Sequence, residues 1–282
     1  MNSVPEWIRI REFDRLAYRQ VLALLQSHRV NTVCIEANCP NRYECFSEGT
    51  ATFMILGNIC TRACRYCNVA HGKPAPVDPG ECERIAQVVE GLKLGYVVIT
   101  CVSRDDLEDG GARHFVATVE AIRRRNPECR VELLISDFNG NTEALRRVVA
   151  LKPDVINHNI EVTKLLFKTL RPKASYELSL SILKQIKEWN SGIVTKSGLM
   201  LGLGETWDEV LVTLKHLRGV GVDILTLGQY LQPSPNHAPV IKYYTPQEFE
   251  LLKELALGMG FESVIAGPMV RSSYHAKMAL KK

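Results

Sequence analysis

The chain has 282 residues, of which 46% are hydrophobic and 23% charged, a composition close to the globular average that excludes a disordered, collagen-like or coiled-coil protein. At about 150 residues per domain the length gives nearly two, but barrels spend about 200–250 on one, so one large domain with an appendage is the economical reading. The 35 basic residues exceed the 31 acidic ones by only four, too few to dictate nucleic-acid binding without a clustered basic face.

Residues 1–50 carry a helical stretch around Leu16 to Leu25 that leads into the cysteine-bearing VNTVCIEANCPNRYECFSEGT. From residue 52 onward, β-rich apolar runs alternate with segments of helical period. The runs are Thr52 to Leu56, Tyr96 to Val102, Arg130 to Ile135, Val155 to Ile160, Ser197 to Leu203, Asp223 to Tyr230 and Phe261 to Ala266. In DPGECERIAQVVEGL, Asp78 is the expected N-cap, with Pro79 at the first helical position and Glu81 three after the cap; Ile85, Val88, Val89 and Leu92 then form one buried stripe. Thr206 and Glu209 predict a capping box ahead of Val210, Leu214 and Leu217. Thr245, Pro246 and Glu248 predict another ahead of Phe249, Leu252 and Leu255.

Strands alternating with helices imply parallel βαβ units. About six units fit between residues 52 and 260, fewer than the eight of a closed barrel. The expected class is therefore α/β, a partial (β/α)6 TIM-like barrel, with a doubly wound sheet as the competitor. The expected divisions are an N-terminal extension over 1–50, the barrel over 51–266 and a tail over 267–282, the extensions covering the open end. In either architecture, functional groups belong at the C-terminal ends of the strands.

No apolar run approaches the roughly 18 residues that span a bilayer. Glu6, Arg9, Arg11 and Glu12 interrupt the N-terminus where a secretory core has to be continuous, so a cytoplasmic protein with no membrane partner is expected. Nine cysteines without an export signal point to metal binding or reactive thiols. Cys60, Cys64 and Cys67 read C-x3-C-x2-C in GNICTRACRYCNVA, directly after the first run. Three thiolates are one short of the four that a structural zinc or an ordinary [4Fe–4S] cluster takes, which suggests a cluster with one iron open to a small ligand; a zinc site completed by His71, or a chance grouping, is the plainer alternative. Cys34, Cys39 and Cys45 form a second triplet of different spacing, C-x4-C-x5-C, open to a second metal site, a zinc knuckle or plain thiols. The remaining Cys82, Cys101 and Cys129 read as small buried apolar residues.

Arg104, Asp105, Asp106 and Asp109 make a charged loop after the second run, read either as a solvated turn or as a contact for substrate or the N-terminal extension. Gly110 and Gly111 give it backbone freedom, and Gly202 and Gly204 do the same after the fifth run. No phosphate-loop or dinucleotide fingerprint is present. Arg123, Arg124 and Arg125 suit the negative end of a helix dipole, with an acidic carrier protein as a rival partner.

C-x3-C-x-aromatic-C, with Tyr66 before the last cysteine, resembles the signature of the radical S-adenosylmethionine (SAM) enzymes. The two triplets together with RSSYHA at Arg271 to Ala276 resemble the lipoyl synthase family. CVSRDDLEDGGA at Cys101 to Ala112, NHNIE at Asn157 to Glu161, TLRPKASY at Thr169 to Tyr176, SGLMLGLGE at Ser197 to Glu205 and LGQYLQPS at Leu227 to Ser234 are similar to that family's internal motifs, so the likeness runs nearly from end to end.

The resemblance implies two [4Fe–4S] clusters and SAM. Cys60, Cys64 and Cys67 would hold the cluster that binds SAM, which is cleaved to methionine and a 5′-deoxyadenosyl radical. Cys34, Cys39 and Cys45 would hold an auxiliary cluster with a serine of RSSY, Ser273 in preference to Ser272, as fourth ligand; oxygen on iron is a hard donor for such a cluster and would be easily displaced. Asn157 and Glu161 would meet the ribose and methionine end of SAM, Arg171 its carboxylate, and Tyr66, Leu203 and Gln229 the rest of the cofactor, the last two flanking adenine. The reaction implied is insertion of sulfur at C6 and C8 of an octanoyl chain on a lysine of a carrier protein, either a 2-oxoacid dehydrogenase E2 lipoyl domain or the glycine cleavage H protein. An electron donor such as flavodoxin or ferredoxin and an iron–sulfur carrier are the further partners. No acid/base pair is required and none stands out. A tRNA methylthiotransferase is the nearest rival, lacking here the length for a nucleic-acid-binding domain, and a non-enzymatic metal carrier is the rival from another class.

Overall fold

Helix caps written into the sequence start the elements of the N-terminal region. The Asp14 carboxylate accepts from the amides of Leu16 and Ala17 at 2.8 and 3.1 Å and opens α1 (Arg15–Ser27), and Thr32 accepts from Ile35 to open α2 (Val33–Glu36); α3 (Arg42–Ser47) follows. Phe13, Tyr18, Tyr43 and Phe46 pack ring against ring at 5.0–5.7 Å between centroids, joining α1 to α3. The computed structural model describes residues 4–279, and they divide into two compact bodies.

The first body comprises Arg11–Ala63 and Asn68–Ile156. After α3 it alternates β1 (Thr52–Ile55), α4 (Glu81–Gly91), β2 (Tyr96–Cys101), α5 (Ala112–Arg125), β3 (Arg130–Leu134) and α6 (Thr142–Ala150), and reaches β4 (Val155–Asn157) at its boundary. β1, β2 and β3 pair in parallel, with Thr52 opposite Val98 and Val98 opposite Glu132. Ile85, Val88 and Val89 of α4 and Phe115, Val119 and Ile122 of α5 are sealed from solvent. This is the stripe expected from the sequence, except that Leu92 sits half-buried at the cap of α4.

α4 begins later than its sequence signals suggest. Gly80, not Asp78, occupies the N-cap, and the Asp78 carboxylate instead accepts from the Gly80 amide at 2.8 Å in a turn and pairs with Arg84. The Glu81 side chain has another partner, described below, and so closes no capping box. Asp109 opens α5 by accepting from the amides of Gly111 and Arg113, while Gly110 and Gly111 take the positive φ that this tight entry requires.

The second body comprises residues 4–10, Cys64–Cys67 and the chain from Asn157 onward. Its elements are α7 (Lys164–Leu170), α8 (Tyr176–Trp189), β5 (Val194–Leu201), α9 (Trp207–Gly219), β6 (Ile224–Gln229), α10 (Pro246–Gly258), β7 (Ser263–Gly267) and α11 (Ala276–Ala279). β5, β6 and β7 are parallel, with Lys196 opposite Ile224 and Leu225 opposite Val264. Both predicted capping boxes are formed, at Thr206 with Glu209 and Thr245 with Glu248. Leu199, Leu201, Leu214, Leu217, Leu225, Leu227, Phe249 and Leu252 belong to one core. Leu255, placed in the buried stripe by its spacing, is 37% exposed, and Ala256 takes the inward position. Among the described residues no helix is long and apolar enough to cross a membrane.

Candidate functional site

The fourth apolar run stops being a strand after Asn157, and the reason is local. His158 donates its amide to Lys196, and Glu161 turns to φ +68° to bridge Leu199, its amide on Gly198 at 2.9 Å and its carbonyl accepting from Met200 at 2.8 Å. A non-glycine residue in the left-handed region is strained and persists only where its surroundings hold it. The polar side chains of Asn157, Asn159 and Glu161 consequently gather at one place. Asn157 Nδ2 donates to Ser272 Oγ at 2.6 Å, Ser272 donates to Asn159 Oδ1 at 3.0 Å, and Asn159 Nδ2 donates to Glu161 Oε1 at 3.1 Å. Both roles of the Ser272 hydroxyl are thereby used, whereas the half-buried Ser273 makes no side-chain hydrogen bond among the described residues.

Arg171 closes this group. Its Nη1 donates to the carbonyls of Ile160 at 3.2 Å and Asn159 at 3.4 Å, and its guanidinium lies 4.8 Å over the Phe167 ring. Burial raises the Glu161 carboxyl above its ordinary range, with Arg171 and Asn159 opposing. Burial likewise keeps the Tyr66 phenol neutral, while Arg171 works against it. A half-buried carboxyl and guanidinium with an aromatic ring beside them offer partners for both ends of a zwitterionic ligand.

Leu203 is buried at the end of β5. The Gln229 side chain is held by the chain around it. Its Nε2 donates to the carbonyls of Leu201, Tyr230 and Lys242 at 3.0–3.1 Å and its Oε1 accepts from the Tyr244 amide at 2.8 Å. The amide is therefore consumed by the chain itself. Gly202, at φ +103°, is needed for the same contact, since a Cβ there would lie 2.2 Å from Gln229 Nε2 and 2.3 Å from the Lys242 carbonyl. The Gly202 and Leu203 amides close on the Glu205 carboxylate at 2.6 and 2.9 Å.

None of the nine cysteines is in a disulfide. In the first body, α2, α3 and the turns around them bring one triplet together: Cys39 donates its amide to the Cys34 carbonyl, Arg42 to that of Cys39, and Thr50 to that of Cys45. Burial, then the neighbouring Cys39, pushes the Cys34 thiol up to about 11. Cys45 is raised by burial and by Cys34 and Cys39. Buried thiols beside one another, as Cys34 and Cys45 are, ionise most readily on a cation, which fits a metal centre of soft donors. Cys60, Cys64 and Cys67 share one loop. Cys60 is bound through its amide to Ala70 and through its carbonyl by Gly72, with the Arg62 amide on its sulfur at 3.4 Å. In the second body Cys67 turns back on Cys64, Arg65 is held by Leu170 and Ala238, and His237, braced by Ser234 at 2.9 Å, reaches the Cys67 carbonyl at 3.1 Å.

The charged loop after β2 is only partly a solvated turn, with Asp105 and Asp106 exposed and Arg104 buried. Arg104 is 3% exposed and donates to the Leu56 carbonyl at 3.2 Å while pairing with Asp106, and Asp105 turns to Arg62. Arg123 is spent on the carbonyls of Leu151 and Lys152, and Arg125 on Glu83 and Glu90. The residues that sequence reasoning missed are at the root of the cysteine loop, where Leu56 and Gly57 both have positive φ. Glu81 accepts from their amides at 2.7 and 3.3 Å and from His114 Nε2 at 2.7 Å. The visible signal was a glutamate at helix position three, which reads as a cap until β1 is known to end beside it. Cys82, read as a plain apolar residue, lies against the His114 ring and accepts from Thr118 at 3.3 Å.

Burial works against a charged His114, but Cys82 and Glu81 outweigh it and raise its pKa from 6.5 to about 9. A folded-state value above the unfolded one stabilises the fold fully below about pH 6.5 and loses that contribution as pH rises through about 9. His114→Gln should therefore flatten the fall of the thermal midpoint across this window. A parent midpoint that does not decline there would refute the pairing.

The Radical SAM superfamily signature matches residues 54–217. The chain is 52% identical over 277 residues to a lipoyl synthase of Caldicellulosiruptor saccharolyticus, covering 98% of this chain and 97% of that protein. It is 54% identical over 273 residues to one of Methylococcus capsulatus, covering 96% and 85%. In solved structures its fold resembles methylornithine synthase (PylB), with TM-score 0.55, 13% identity and coverage of 89% and 82%. It also resembles Streptococcus suis SuiB bound to S-adenosylmethionine, with TM-score 0.60, 12% identity and 88% of this chain on 53% of that one. The fold is the α/β partial-barrel type expected from the strand and helix order, and a protein this similar along its whole length to lipoyl synthases belongs to the lipoyl synthase family of radical SAM enzymes.

Proposed function

We propose that this enzyme inserts two sulfur atoms, at C6 and C8, into an octanoyl chain carried on a lysine of a lipoyl carrier protein. The observation that carries the reading is the tie between RSSYHA and the end of β4: Ser272 is fixed by Asn157 and Asn159, which supports Ser273 as the iron ligand. In this reading Cys34, Cys39, Cys45 and Ser273 hold an auxiliary [4Fe–4S] cluster that is the sulfur source. Cys60, Cys64 and Cys67 hold a second cluster with SAM on its open iron. The extension 1–50 brings the first triplet, the barrel 51–266 the second, and the tail 267–282 the serine.

When bound, the cluster and SAM supply a carbon-centred radical able to remove hydrogen from an unactivated carbon. The chain's own residues bind and orient. Arg171 meets the SAM carboxylate, Asn157 and Glu161 its ribose and methionine end, Tyr66 provides an apolar wall, and Leu203 and Gln229 flank the adenine. Holding reacting groups in register and excluding water is the protein's contribution. The carrier would be an E2 lipoyl domain or glycine cleavage H protein, with flavodoxin or ferredoxin as reductant and an iron–sulfur carrier restoring the cluster, all in the cytoplasm.

The test is anaerobic: reconstituted protein, SAM, dithionite and an octanoyl-lysine peptide, with products read by mass spectrometry. A peptide that gains two sulfurs and loses two hydrogens supports the reading; SAM cleavage with an unchanged peptide refutes the substrate. Ser273→Ala should lower sulfur insertion about tenfold or more while SAM cleavage persists, by analogy with the loss of a metal-site partner. Ser272→Ala should impair both through Asn157. Equal effects of the two on insertion alone would overturn the assignment of Ser273.

A further inference from the structure

The segment between the first two cysteines of the C-x3-C-x2-C loop contains a buried arginine that no part of the reaction described above uses. Arg62 is 7% exposed. Its Nε donates to Asp105 at 2.9 Å and its Nη2 to the same carboxylate at 2.7 Å, while Nη1 and Nη2 donate to the two oxygens of Asp137 at 2.6 Å each. Both carboxylates are thus gripped in the bidentate geometry that only a guanidinium offers. Asp105 follows β2 and Asp137 follows β3, with side-chain exposures of 24% and 2%. Thr61 adds a second fastening: its hydroxyl donates to the Ser103 carbonyl and Asp105 at 3.0 Å, accepts from the Asp105 amide at 3.1 Å, and its own amide binds Ser103.

Cys60 adjoins Thr61, and the Arg62 amide rests on its sulfur. Counted over these three side chains, one cation against two carboxylates leaves one more negative charge than positive. Negative charge near an iron–sulfur centre opposes the arrival of an electron, and net charge and surroundings are what set cluster potentials.

We infer that Arg62 is a positioning residue that, with Asp105 and Asp137, locks Cys60 in its ligating geometry and, through the surplus carboxylate, makes the cluster on this loop a stronger reductant. The inference rests on the reading that Cys60, Cys64 and Cys67 hold a cluster.

The test uses the reconstituted full chain, with iron content, electron paramagnetic resonance of the dithionite-reduced cluster with and without SAM, and a mediated redox titration. Asp137→Asn removes the surplus charge and should move the midpoint to a less negative potential. Arg62→Lys keeps the charge but loses the fork, and should alter the SAM-induced spectral change and lower SAM cleavage tenfold or more with a smaller shift in midpoint. Glu143→Gln, a surface carboxylate of α6, should leave both as in the parent. Parental spectra and midpoints in both Asp137→Asn and Arg62→Lys would overturn the clamp while the cluster assignment stands. A parent chain with no SAM-responsive signal would overturn the assignment and the clamp with it.

Discussion

Cys64→Ala is expected to abolish SAM cleavage, with iron falling to about half of the parent content, whereas Cys39→Ala should lose the same share of iron, keep SAM cleavage and make no lipoyl product. The separation follows from the two triplets being held by different parts of the chain. Cys34, Cys39 and Cys45 are organised by α2, α3 and the turn at Thr50, and Cys64 by the turn that Leu170, Ala238 and His237 support. Removing one thiolate of three leaves too few soft donors to hold iron against hydrolysis and release. Iron and acid-labile sulfide assays with quantification of 5′-deoxyadenosine and peptide product read both effects. Cleavage lost equally in the two variants would mean that the triplets do not hold separate centres.

Gly228→Ala should be strongly destabilising to the second body. A Cβ on Gly228 would lie 2.1 Å from the Val270 carbonyl oxygen and 3.1 Å from its carbon, and the obstacle is backbone, which cannot rotate away as a side chain can. Overpacking of this kind costs about 3 kcal/mol, or roughly 6–12 °C in thermal midpoint for a chain of this size. Val270 and Arg271 immediately precede the serine that Asn157 and Asn159 hold, so the displacement should reach RSSYHA and reduce sulfur insertion more than SAM cleavage. Gly258→Ala is the control, because nothing lies within 4 Å of its Cβ position. Equal midpoints for the two variants, by scanning calorimetry, would show that the β6 to Val270 approach is looser than described.

The alternation of strands and helices, both complete capping boxes and the cysteine triplets were legible in the sequence because each is a local pattern. Val-, Ile- and Leu-rich runs have few ways to be buried other than as parallel strands, Thr-x-x-Glu closes on itself within one turn, and thiolate spacing along a loop limits what the loop can hold. The same local logic misled at Asp78. An Asp-Pro pair three residues before a glutamate is a good helix start until a strand end supplies Leu56 and Gly57 amides that Glu81 binds instead.

The partners of buried charges were invisible for the same reason. Arg62, Asp105 and Asp137 are as much as 75 residues apart, and in sequence Asp105 belongs to a run of charges that ordinarily faces water. Ser272 and Ser273 are adjacent and chemically identical, and only the folding of the tail onto Asn157, 115 residues away, distinguishes the one whose hydroxyl is used. The partners of the Gln229 amide, the returning chain at Lys242 and Tyr244, were equally invisible in the sequence. By itself the sequence determined the family, the strand and helix order and the residue types available for iron. The tertiary structure alone decided which polar groups are spent on the chain and which remain for chemistry, because a buried hydrogen-bonding group must find a partner wherever the fold brings one.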